Sequence, residues 1–209
     1  MIVFKFSKLG SAEFISHLDT LRHLNKTFIR GGIPVKKSMG FHPHALVFMS
    51  SPIGGGLKSL AEYCAVDTDV GPEEFMRAFN AASPKGIKCA AAFYSEKNPN
   101  LASAIVAAKY YIEGLGRFDP EEIMRAEEFF AVNKKGERVN VRGKIFSVSV
   151  RGEGIEAVLA AGNASLRPDI FIAALKAVYG GGYVSCIKEE SYLEGLVNVD
   201  DALAKGENL

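Results

Sequence analysis

"SAEFISHLDTLRHLNKTFIRGG", Ser11 to Gly32, is the stretch on which the fold turns. Phe14, Leu18, Leu21, Leu24 and Phe28 recur at helical spacing, Ser11 is placed to cap the helix, and Gly31-Gly32 stop it. Upstream, residues 2–7 alternate as a strand. Downstream, "ALVFMSS" reads as an apolar strand, "LAEYCAVDTD" as a strand covered on both faces, and "GPEEFMRAFNAAS" as a helix begun by Pro72. "GIKCAAAFYS" closes the unit. The order is βαββαβ, the split βαβ or ferredoxin-like pattern.

The rest of the chain repeats the pattern more loosely. "AAKYYIEGL" is a strand, and "DPEEIMRAEEFF" a helix with Asp119 as cap and Pro120 at its first position. "FFAVNKKGERVNV" and "KIFSVSVRGEGIEAVLAAG" supply hairpins around Lys135-Gly136 and Glu153-Gly154. "SLRPDIFIAALKAVY" is a helix for Ser165 to cap, and "YVSCIKEESYL" a last strand. The expected fold class is α+β, with two tandem ferredoxin-like (βαββαβ) units. The first spans residues 1–96, a polar linker 97–105 and the second unit 106–195. The C-terminal tail, 196–209, reads as a surface helix or frayed end.

A hydrophobic fraction of 48% beside 23% charged residues suits a chain that buries a substantial core. No apolar run reaches the length of a membrane span, and "MIVFKFSKLG" lacks the basic leader and apolar block of an export signal. Cys64, Cys89 and Cys186 are too widely spaced for a cluster motif and odd in number, which points to the cytoplasm. Net charge is only +1, yet residues 1–50 carry seven basic side chains against Glu13 and Asp19. Such a local field suits an anionic partner such as a phosphate backbone, and equally an ordinary solvated face.

Four histidines bear on chemistry. His17 borders the apolar side of the first helix, where it is either a packed core histidine or a general acid–base. Asp19 and His23, four residues apart, share another face. His42 and His44 flank Pro43 and, in an extended segment, would point the same way. They are the metal candidates, with Asp19 or His17 as a third ligand, but no H-x-x-x-H or C-x-x-C accompanies them, so no metal is expected. "GGIPVKKSMGFHPH" reads better as a stiff basic surface holding an anion: Arg22, Lys26, Lys36, Lys37, His42, His44 and Lys58 are the candidate contacts. The glycine runs 54–56 and 180–182 are turns by default, the first also able to offer amide groups to a phosphate. Phe41, Phe48 and Phe93 are expected in the core.

"FKFSKLGSAEFISHLDTLR", "GIPVKKSMGFHPH" and "SPIGGGLKSLAEY", with the later "VNVRGKI" and "NASLRPD", resemble the radical-SAM-linked bacterial family known as domain of unknown function 2344. The resemblance marks Ser16, His17, Asp19, Gly40, Phe41, His42, Pro43, His44, Glu62 and Tyr63. Histidine stands at 42 where many members have asparagine, which shifts interest to His44 and His17. The resemblance implies an accessory protein without a cofactor of its own, working with a radical-SAM enzyme that carries a cobalamin-binding domain. It would bind or present RNA for modification. Two alternatives stand beside this. One is a metal-independent endoribonuclease of the tandem ferredoxin-fold type, with His17, Asp19 and His44 as candidate catalytic residues. The other is a structural protein–protein adaptor.

Overall fold

The computed structural model describes residues 1–41, 43–207 and 209. The first part of the chain folds as β1 (Ile2–Lys8), α1 (His17–Arg30), β2 (Val47–Met49), β3 (Lys58–Val66), α2 (Pro72–Ala82) and β4 (Cys89–Tyr94). A short α3 (Leu101–Ala104) follows. The second part runs β5 (Ala107–Leu115), α4 (Pro120–Arg125), β6 (Phe130–Val132), β7 (Arg138–Asn140), β8 (Ile145–Arg151), β9 (Gly154–Ala160), α5 (Pro168–Tyr179) and β10 (Gly181–Tyr192), with α6 (Val199–Ala204) at the end.

This is an α+β protein built on one large mixed sheet of order β4-β1-β3-β10-β5-β9-β8, with β2 beside the far end of β3. A separate hairpin joins β6 to β7. Every pairing in the large sheet is antiparallel except β3 with β10, which meet in parallel at Lys58–Ile187 and Ser59–Lys188. Those two residue pairs carry the sheet from one half of the chain to the other. In each half the strands lie in the order fourth, first, third, second: β4-β1-β3-β2 and β10-β5-β9-β8.

Strand alternation assigns the faces. Ile2, Phe4 and Phe6 of β1 with Cys64 and Val66 of β3 meet Leu24 and Phe28 of α1 and Phe75 and Phe79 of α2. Further along the same face, Tyr110, Ile112 and Cys186 pack against Phe171 and Leu175 of α5. The opposite face of the first half buries Val3, Ala61, Tyr63 and Ala65 under Leu101, Ile105, Val199 and Leu203. Residues 97–105 therefore include an anchored helical turn, and α6 turns Val199, Ala202 and Leu203 inward against the sheet. Asp200 fixes α6 to the sheet by accepting from Lys5 Nζ at 2.6 Å and from the Tyr63 hydroxyl at 2.8 Å.

Several local expectations shift. The helix start lies at Ser16, not Ser11; residues 10–14 form a 3-10 turn, and Phe14 and Leu18 are exposed. The buried stripe of α1 is Thr20, Leu24, Thr27 and Phe28. Two tertiary bonds hold the turn out of the helix, Lys8 Nζ donating to Ile15 O at 2.7 Å and Gly56 N to Glu13 O at 2.8 Å. Asp119 caps α4 as expected, but the helix stops at Arg125. Arg167, not Ser165, is the residue before α5, with Pro168 opening it. Phe41 is fully exposed, whereas Phe48 and Phe93 pack against the core.

Candidate functional site

The S-H-L-D stretch is a helix start. Ser16 Oγ accepts from Asp19 N–H at 3.1 Å and donates to Asp19 Oδ2 at 2.8 Å, while Asp19 Oδ1 takes Arg22 Nη1 at 2.8 Å. These bonds, that from Ser16 foremost, hold the Asp19 carboxyl below its ordinary range. Asp19 is thus engaged by Ser16 and Arg22, and His17 projects exposed from the first turn rather than lying against the core. Ser16→Ala should cost about 1 kcal/mol of stability through the lost cap, read as a lower urea midpoint at unchanged slope. A change under about 0.3 kcal/mol would show that water replaces the cap.

The Lys36–Leu46 segment doubles back on itself. Leu46 N donates to Lys36 O at 2.9 Å, Ser38 N to His44 O at 2.8 Å, and Lys37 bridges Ala45. Ser38 Oγ lies 2.9 Å from His44 Nδ1 and accepts the His44 N–H at 3.1 Å, clasping the base of the loop. Beyond the clasp, Met39 and Phe41 stand free of the body of the protein, Met39 at 99% exposure, around Gly40 at φ +125°. Lys36 N anchors the stem to Asp67 O, and Lys36 Nζ sits 3.2 Å from the Asp67 carboxylate. His42 lies outside the described residues.

The candidate residues therefore divide. His17, Asp19 and Arg22 sit at the α1 end nearest the start of β3, since Gly56, just before that strand, bonds to Glu13. Lys36, Lys37 and His44 stand at the other end of β3, beside Asp67. The fourteen residues of α1 alone span roughly 20 Å between these ends. His17 and His44 do not share a site. Lys26 is exposed on α1, and Lys58 Nζ reaches Ser185 Oγ at 3.4 Å where the two halves meet.

That meeting point holds a constellation the charge pattern did not reveal. Glu62, 1% exposed, accepts from Lys188 Nζ at 3.2 Å, Ser59 Oγ at 2.8 Å and Ile53 N at 3.2 Å. Lys188 is 4% exposed and comes from the other half of the chain. Together with Tyr110, Gly54 and Arg167 it lines a pocket of about 130 Å³ beneath the Ser51–Gly56 loop. Burial, reinforced by Glu62, raises the Tyr110 hydroxyl well above its ordinary pKa. Burial also lowers the Lys8 ammonium, with Glu62 opposing the shift. A Cβ on Gly54 would come within 3.4 Å of Arg167 Nη2, so the glycine leaves that guanidinium its place. "SPIGGG", the glutamate of "AEY" and the arginine of "NASLRPD", separate in sequence, converge here. One signal was available: Glu62 and Lys188, like Lys8, are charged residues in otherwise apolar, inward-facing strand positions.

Among the described residues no group of three or more histidine, cysteine or carboxylate side chains is arranged to hold a metal ion. No described helix is long and apolar enough to cross a membrane. A search of curated proteins finds no match. A family model described as "Uncharacterized protein conserved in bacteria (DUF2344)" matches residues 1–168, from β1 through the pocket-lining run 165–168, so the chain belongs to the DUF2344 family of bacteria.

Proposed function

We propose that the protein is an RNA-binding accessory module that presents its RNA to a radical-SAM enzyme carrying a cobalamin-binding domain, without catalysing the reaction itself. The partner enzyme rests on the resemblance of the "FISHLD" and "GFHPH" stretches. The repeated strand order supports reading the sheet as two ferredoxin-like units joined edge to edge.

The observation that carries RNA binding is the hairpin tip. A fully exposed Phe41 on a clasped loop, with Lys36, Lys37 and His44 on its stems, sets a stacking face beside basic side chains. Base–aromatic stacking contributes about 1–3 kcal/mol per base. Phe41→Ala should therefore weaken binding of a fluorescent single-stranded 12-mer RNA about tenfold or more. The pair Lys36→Ala and Lys37→Ala should flatten the salt dependence by roughly one to two phosphate contacts. Unchanged affinity in Phe41→Ala, measured by fluorescence anisotropy at two salt concentrations, would remove the hairpin from the RNA interface.

The adaptor reading draws on the same loop, because Met39 and Phe41 together form an apolar knob. In that case Phe41→Ala would weaken capture of the partner enzyme with little response to salt, and RNA would not bind. The endoribonuclease reading now rests on His17 without His44, so an intact RNA on a gel after incubation would end it.

A further inference from the structure

We infer that a groove in the second half of the chain, between the β6–β7 hairpin and the start of α5, binds the phosphate of a nucleoside phosphate, either free or within an RNA strand. The groove measures about 320 Å³. Its floor is apolar: Val141 and Leu166 are buried, and Val139 and Ile170 are half-buried beside them. Its rim carries Lys134, Lys135, Lys144 and Arg167. No carboxylate lines it. Asp169, next in the chain but one, takes Arg167 Nε at 2.9 Å and Nη2 at 2.6 Å, so that guanidinium is already partly neutralised beside the three lysines.

Lys109 is paired with Glu190, Arg125 with Glu121, and Arg151 with Glu189 and Glu156. Arg142 is spent on the carbonyls of Ile145 and Met124 at 2.8 Å each. Among the described residues Lys134, Lys135 and Lys144 form no ion pair, and all three line the same concave, largely apolar surface. With the Glu137 carboxylate, held by Asn133 Nδ2 at 2.8 Å, as the acid of that turn, the three lysines still leave a net positive field that an anion relieves. The chain positions them deliberately: Asn133 Oδ1 accepts the Lys135 and Glu137 amides to fix the hairpin turn, and a 3-10 turn over Arg142–Lys144 sets the third lysine. The N-terminus of the twelve-residue α5 adds a favourable dipole at the same place. A ligand matching this surface has a negatively charged group for the lysines and a flat or apolar body for the valine, leucine and isoleucine floor. A nucleoside phosphate has both. Ser165, Leu166 and Arg167 also wall the Lys188 pocket, so Arg167 stands between the groove and the buried ion pair.

The site uses none of the hairpin residues and stands independently of the Phe41 loop. Its test is equilibrium titration of the full chain with a fluorescent nucleoside triphosphate, with inorganic triphosphate and the bare nucleoside as competitors, and with the single-stranded 12-mer RNA. The variant is Lys134→Glu with Lys135→Glu, both exposed in a turn where folding is little affected. Saturable nucleotide or RNA binding that falls about tenfold or more in this variant, with the nucleotide binding unaltered by Phe41→Ala, supports the site. Loss for RNA alone assigns the ligand to a strand, and loss for both assigns it to the free nucleotide as well. Inorganic triphosphate competing as well as the nucleotide would overturn the role of the apolar floor. Binding indifferent to the lysine reversal, or no binding of either probe, would overturn the site.

Discussion

Replacing Glu62 by glutamine is expected to lower the free energy of unfolding by about 3–5 kcal/mol. The carboxylate is buried and is the counter-charge of Lys188, itself buried, while also stabilising the charge on Lys8. Glutamine keeps the volume and can still accept from Ile53 N–H, but it leaves two largely desolvated ammonium groups without an anion. The deficit falls where the half-sheets meet. Among the described residues their strand pairing consists of Lys58–Ile187 and Ser59–Lys188, with Lys58 Nζ reaching Ser185 Oγ at 3.4 Å and Ser191 Oγ donating to Ala61 O at 3.3 Å nearby. Urea unfolding of the variant, followed by far-ultraviolet circular dichroism, should show the earlier half-transition and separation of the two halves into distinct steps. The double variant Glu62→Leu with Lys188→Met removes both charges and should recover most of the loss, since exchanging a buried pair for apolar side chains is often neutral. A single-variant loss below about 1 kcal/mol would mean that water in the adjoining pocket solvates the lysine, and that the pair does not hold the halves together.

The elements of the fold were legible wherever one face of an element is buried, because apolar periodicity then reports the geometry directly. β1, β3, α2, β5, β9 and α5 follow that rule. The start of α1 was not legible: Phe14 and Leu18 continue the helical period of Leu21 and Leu24, but two tertiary hydrogen bonds from Lys8 and Gly56 hold residues 10–14 in a 3-10 turn and leave both side chains exposed. The anchoring of α6, expected only as a surface helix or frayed end, was not legible because its burial is supplied by distant partners. Asp200 meets Lys5 and Tyr63, 195 and 137 residues away.

The same distinction governs the candidate sites. Local motifs marked Gly31–His44 as a stiff basic surface, but not that Lys36–Leu46 doubles back on itself, clasped between Ser38 and His44. They could not reveal that Phe41 points away from the core, since an aromatic beside a strand satisfies a buried and an exposed reading equally well. Nor could they place His17 and His44 at opposite ends of α1 and β3. The Glu62–Lys188 pair depends on parallel register between strands 126 residues apart, information carried by no local pattern. Glycine at position 54 and arginine at 167 acquire a shared meaning only once that register is set.

Phe4→Ala is expected to cost about 3–5 kcal/mol, the usual range for emptying a fully buried aromatic site. The ring lies at the middle of the first half: its centroid is 5.0 Å from Phe75, 5.3 Å from Phe79, 5.7 Å from Phe6 and 6.2 Å from Phe28. It therefore ties β1 to both α1 and α2, and these contacts add aromatic pairing to the burial of its own surface. Removing it leaves four rings around a void that rigid β-strands cannot close, so the cavity penalty adds to the lost transfer energy. Phe4→Leu fills most of the space and should cost nearer 1.5 kcal/mol. The same substitution at Phe41 provides the contrast: that ring is fully exposed, and Phe41→Ala should change stability by no more than about 0.5 kcal/mol. Urea midpoints for the three variants, set against RNA affinity, separate the two roles of phenylalanine in this chain. Phe4→Leu should retain RNA affinity at modest cost to stability, and Phe41→Ala should do the reverse. A Phe41→Ala protein as unstable as Phe4→Ala would place the hairpin tip against the body of the protein and remove the stacking surface on which RNA binding rests.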